Sequence, residues 1–121
     1  MRFSLFVALA LLTVSCSGQG AAQDANAPVK ILTSQMYVTV RNDSGAPLND
    51  VSVAIVPIGR QTIYNKFMGR LENSESRNVM LGDFLGRDGT PFSLRVVKPR
   101  SVEIKGKDVK GKDYTAEVPW R

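Results

Sequence analysis

Apolar and polar residues alternate in short runs along most of this chain. Val38 and Val40 flank Thr39, Val102 and Ile104 flank Glu103, and Tyr114, Ala116 and Val118 are separated by Thr115 and Glu117. A period of two sends successive side chains to opposite faces, which is the mark of a strand with one buried side. The run at 51–57 is rich in β-branched residues, which pack well on a pleated surface and are stiff in helices. The pattern predicts strands over 30–41 (one long strand, or two broken near Ser34 and Gln35), 51–57, 61–68, 75–81, 92–96, 101–107 and 112–119. Ile63 and Phe67 are expected on one face of the third strand, and Val79 and Leu81 point inward on the fourth. Trp120 keeps the parity of the last strand and is expected to cover the end of the core.

Between these runs lie turn formers. Residues 41–50 read RNDSGAPLND, where Asx side chains bond nearby backbone N–H groups and glycine and proline set the turns. Residues 82–91 read GDFLGRDGTP, too rich in glycine for a long helix. Asp108, Val109, Lys110 and Gly111 form a hairpin loop in which Gly111 takes a positive φ. About seven short strands at spacings of roughly ten residues, with no amphipathic helix, indicate an all-β fold, a single antiparallel β-sandwich.

The first residues add a destination. Residues 1–20 read MRFSLFVALALLTVSCSGQG: one basic residue, then an apolar run of about ten residues, then small residues before Cys16. That run is too short to span a bilayer core of about 30 Å as a helix, and it suits a signal peptide. Leu12 to Cys16, LTVSC, resembles the lipobox of bacterial lipoproteins, with Thr13 where leucine is commonest. The resemblance implies cleavage before Cys16 and its lipidation, with several acyl chains giving a firm membrane anchor. Cys16 is also the only cysteine in the chain, and a lone thiol in an exported protein calls for another use. The expected division is a lipoprotein signal peptide at 1–15, a lipid anchor and polar linker at 16–29, and the sandwich at 30–121. The expected location is the bacterial cell envelope. In a Gram-negative cell, Ser17 after Cys16 resembles the outer-membrane sorting pattern and implies that membrane's periplasmic face.

Chemistry is narrowed by what the composition omits. With no histidine and no second cysteine, Ser-His-Asp and Cys-His catalysis are excluded. No catalytic residue, no metal site and no cofactor is expected. Asp43, Asn49 and Asp50 read as turn residues, and the carboxylates of 108–113 are bordered by three lysines, a poor surround for calcium.

The chain carries a formal net charge of +5, and residues 95–112 hold seven basic residues against Glu103 and Asp108. Lys105 and Lys107 fall on the solvent side of their strand. They would keep a strand edge soluble or attract anionic head groups or an acidic envelope polymer. Arg87 and Asp88 sit in the 82–91 loop, as a turn or as a pair aimed at a partner. Arg87, Asp88, Lys105 and Lys107 are therefore the candidate partner-binding residues. The partners expected are the membrane through the N-terminal lipid, and an envelope protein or acidic polymer. Nucleic acid is not expected, since no aromatic residues interleave with the basic ones.

Residues 38–53, VTVRNDSGAPLNDVSV, resemble the opening of fibronectin type III-like and immunoglobulin-like modules of bacterial envelope proteins, and 105–118, KGKDVKGKDYTAEV, are similar to their closing hairpin. RDGTPF and PRSVEIKGKD are similar to segments of small uncharacterised bacterial lipoproteins. These resemblances imply a fold and bring no active-site residue with them. The expected function is a non-enzymatic, lipid-anchored binding or structural accessory module. The alternative is a small-molecule or glycan binder using the 82–91 loop, with Tyr64, Phe84 and Arg87 lining a pocket.

Overall fold

The computed structural model describes residues 27–59 and 62–121. The expected signal peptide, Cys16 and most of the expected 16–29 linker lie outside the described residues. Seven strands form two antiparallel sheets: β1 (Val29–Thr33), β2 (Tyr37–Asn42), β3 (Leu48–Pro57), β4 (Tyr64–Leu71), β5 (Ser76–Met80), β6 (Pro99–Lys107) and β7 (Asp113–Pro119). One sheet has the order β1-β2-β5 and the other β4-β3-β6-β7. All seven lie within 27–121. The first expected strand is thus two, broken at 34–36, where the Ser34 hydroxyl accepts from the Tyr37 amide at 3.0 Å.

The core follows the alternation. Val38 and Val40 of β2 and Val79 of β5 face Val51, Val53 and Ile55 of β3 and Val102 and Ile104 of β6, all buried. The outward positions of the same strands, Thr39, Asn78, Ser52, Glu103 and Lys105, are less buried or exposed. Phe92 is also buried, with its ring 5.3 Å from Tyr64 at 75° and 6.3 Å from the Trp120 ring. Trp120 closes the core end as its parity predicts. Gly111 has φ +82, and Asp108 Oδ1 accepts from the Lys110 and Lys112 amides at 2.9 Å each, so the hairpin carboxylate is used in its own turn.

One expectation fails. Residues 92–96 are not a strand: the Val96 and Val97 amides both donate to Ser93 O, at 3.1 and 2.9 Å, and wind the segment into a turn between Pro91 and Pro99. Val96, expected inward, is 84 % exposed. Ile63 and Phe67 do share one face, and it is the outer one: Tyr64 is turned inward, which leaves Phe67 opposite Ser52 and 64 % exposed. Beyond Phe67 the pairing of β3 with β4 slips around Val51, where Asp50 adopts φ +53, and this brings Leu71 to the inward face.

The chain crosses between sheets at 43–47 and again at 72–75, and these two crossovers are stitched together at one end of the sandwich. Asn42, fully buried, donates through Nδ2 to Ala46 O (2.8 Å) and Leu71 O (3.1 Å), and its Oδ1 accepts from the Ser44 amide and hydroxyl. Its backbone amide donates to Glu75 O and its carbonyl accepts from Ser74 N. The Gly45 amide donates to Asn73 Oδ1 at 3.0 Å.

The side where β4 and β5 run past each other is closed by Arg77. Its guanidinium donates to Met68 O (2.9 Å) and Arg70 O (3.1 Å) of β4 and to Glu75 Oε2 (2.7 Å). The Glu72 amide, donating to Glu75 Oε1, holds the Glu75 carboxyl below its ordinary value of 4.5, and Arg77 adds to this. A depressed carboxyl contributes stability that is present above its ordinary value and lost as pH falls through the folded value. Glu75→Gln should therefore flatten the loss of stability between about pH 5 and pH 3. Urea midpoints across that range check it, and an unchanged acid limb would remove Glu75 from the account.

Candidate functional site

The outer face of the four-stranded sheet is the candidate site. Strand register places Phe67, Ser52, Lys105 and Thr115 in one cross-strand row, and Asn65, Ala54, Glu103 and Glu117 in the next. Ser52 and Ala54 are small, so the centre of the face is low between taller neighbours. The 84–91 loop then overhangs it. Phe84 is fully buried and roots the loop in the core. Next to it Leu85 joins the edge of β4, exchanging backbone bonds with Asn65 at 2.9 and 3.0 Å. The Asp88 carboxylate accepts from the Thr90 amide at 3.0 Å, and the Gly86 amide donates to Thr90 O. Gly89 takes φ +86 to complete this turn. The bonds from Thr90 hold the Asp88 carboxyl below its ordinary range.

The result is a concavity of about 470 Å³ lined by Ser52, Ala54, Ile63, Asn65, Arg87, Glu103 and Lys105. A neighbouring depression of about 510 Å³ shares Ile63, Glu103 and Lys105 and continues over Thr115 and Glu117. Together they make one open trough across β3, β6 and β7, within the size range of ligand sites, roughly 300–1,000 Å³.

Of the four residues singled out from sequence, the fold brings Arg87 and Lys105 to this one trough. Asp88 is occupied in its own turn. Lys107 lies further along β6, where its ammonium pairs with the cross-strand Asp113 at 2.9 Å. That pairing raises the Lys107 pKa and lowers that of Asp113. Among the described residues neither Arg87 nor Lys105 has an ion-pair partner. The trough's carboxylates are engaged: Glu117 accepts from the Ser101 hydroxyl, and Glu103 has contacts of its own. An incoming group therefore meets two unpaired cationic donors, Arg87 and Lys105, beside two carboxylates that already have partners, over a floor of small residues.

Tyr64 and Phe84, expected to line a pocket with Arg87, do not reach the trough: Phe84 is fully buried in the core, and Tyr64, also in the core, borders a separate depression with Ile58 and Val96. Ser52, Ala54, Asn65 and Glu103 belong to no motif. Their only sequence signal is that Ser52 and Ala54 are small residues at the outward positions of a strand otherwise built from valine and isoleucine. Comparison of the chain with protein-family models, curated proteins and solved structures finds no match.

Proposed function

We propose that this chain is a non-enzymatic, lipid-anchored envelope protein whose sandwich is a binding module for an acidic partner. Arg87 and Lys105, unpaired over the Ser52 and Ala54 floor, carry this reading. Exposed charges of this kind govern encounter and selectivity more than raw affinity. The strand order, β1-β2-β5 against β4-β3-β6-β7 with crossovers between the sheets, supports the fibronectin type III-like resemblance. The partner is an acidic face of another envelope protein or an acidic envelope polymer. The anchor is Cys16: Cys16→Ser is expected to abolish fatty-acid labelling and to move the protein out of the membrane fraction.

Binding is tested on poly-glutamate as a defined acidic chain, with neutral dextran as control. Arg87→Ala with Lys105→Ala should weaken binding about ten-fold or more at moderate salt, with an unchanged melting temperature. Lys110→Ala with Lys112→Ala, in the hairpin at the far end, should have little effect. If both pairs weaken binding equally, the attraction is diffuse and the trough is not the site.

A further inference from the structure

The two ends of the sandwich differ in character. At the end holding the two stitched crossovers and the 108–112 hairpin, charges of both signs are mixed and mostly paired: Lys30 and Arg41 with Asp43, Arg70 with Glu72, Arg77 with Glu75, and Lys107 with Asp113. The opposite end is made by the 34–36 connection, the β3–β4 loop, the 93–98 turn and the C-terminal residues. Thr33 and Arg121 meet there at 3.1 Å, linking the two sheets. Among the described residues, five of the eight large apolar side chains left exposed lie at or next to this end: Leu32, Met36, Ile58, Met80 and Val96. Neither 58–63 nor 93–100 contains a carboxylate, and Arg95, Lys98 and Arg100 stand there with no ion-pair partner among the described residues.

The tip is held in place. The Ile58 amide donates to Lys98 O at 3.0 Å, binding the β3–β4 loop to the 93–98 turn, and Ile58 and Val96 border one depression. Ile58 is 62 % exposed and Val96, at 84 %, more so. Trp120, the only tryptophan of the chain, lies half-buried behind them, its amide donating to Arg100 O at 2.9 Å.

We propose that this end docks on an anionic lipid bilayer, with Ile58 and Val96 entering the head-group boundary while Arg95, Lys98 and Arg100 face lipid phosphates. Separate apolar tips among cations suit a surface that deforms around them, whereas a protein partner calls for a contiguous, complementary patch. The charge arrangement gives the direction: the opposite end matches most of its cations with carboxylates in ion pairs, whereas Arg95, Lys98 and Arg100 are left to face an anionic surface. The trough and the Cys16 anchor play no part.

The test uses residues 27–121, which hold all seven strands and lack Cys16. The probes are vesicles of phosphatidylglycerol with phosphatidylcholine, and vesicles of phosphatidylcholine alone. Co-sedimentation with the anionic vesicles only is expected, with Trp120 emission moving to shorter wavelength. Ile58→Ser with Val96→Ser leaves the charge unchanged and should lower the affinity about ten-fold and abolish the emission shift. Arg95→Glu with Lys98→Glu should abolish binding. Arg87→Ala with Lys105→Ala should bind vesicles normally even if it has lost poly-glutamate. Failure of the wild-type segment to bind anionic vesicles overturns the proposal. So does wild-type behaviour of the serine pair, which would reduce the contact to general charge attraction, and so would a protein partner that protects Ile58 and Val96 while vesicles do not.

Discussion

Asn42→Leu should lower the folding stability by about 3–5 kcal/mol, among the largest losses expected from a single substitution in this domain. Leucine keeps the branching of asparagine but is the larger residue, so the effect combines lost hydrogen bonds with some overpacking and leaves no cavity. Asn42 is fully buried and its side chain makes four bonds, two donated and two accepted. Leucine leaves Ala46 O and Leu71 O without these donors and the Ser44 amide without its acceptor. Each buried group orphaned in this way costs about 1–3 kcal/mol. A shift of the urea midpoint with unchanged slope would show that stability alone has changed.

Asn42→Asp separates shape from chemistry. The aspartate keeps the outline but turns an oxygen toward the Ala46 and Leu71 carbonyls, so its carboxyl is driven above the usual range by burial and by those dipoles. A raised carboxyl favours the folded state at low pH, and stability is lost as pH rises toward the folded value. The variant should thus approach wild type in acid and fall away from it at neutral pH. Equal deficits at both pH values would mean that the bonds from Asn42 Nδ2 matter little.

Phe84→Ala is next, at about 3–5 kcal/mol for truncating a fully buried ring. Its consequence reaches further than the core. Phe84 O accepts from the Phe92 amide at 2.8 Å, and Leu85 beside it pairs with Asn65, so the ring fixes the loop that carries Arg87. The alanine variant should lose amide-exchange protection at Leu85 and Asn65 before the rest of the sheet opens. Its affinity for an acidic chain should fall with it, because Arg87 is no longer held over the trough. Phe84→Leu should recover most of both. Slow exchange at Leu85 in the alanine variant would show that the loop is positioned from elsewhere.

The sandwich was readable from sequence where one face of a strand is buried and the other wet. β6 and β7 alternate without interruption, and β3 and β5 show enough of the pattern to be placed. The misreadings each have a physical source. Phe92, Leu94 and Val96 alternate like a strand, but the amides of Val96 and Val97 share one carbonyl and the segment coils into a turn. Phe67 keeps the parity of Ile63 as the pattern predicts, but the face they share is the outer one because Tyr64 is turned into the core. Asn42 reads as a turn residue, which is half of its role. That it is also a buried crosslink to β4 depends on a carbonyl 29 residues away, and no local pattern carries that information. For the same reason only Arg87 and Lys105 of the trough were visible beforehand. Their neighbours are ordinary residues that acquire a role when three strands lie side by side.

The closure of β4 has a consequence for crowding. Open strand edges invite a second copy to add its own strand, and the risk grows when copies share a plane at high density. Along β4, Leu85 occupies the peptide groups of Asn65, and Arg77 draws on the carbonyls of Met68 and Arg70. A ribbon of domains cannot propagate from that side without first dislodging a rooted loop and a charged side chain. On that side the domain stays a separate unit even where copies are crowded together.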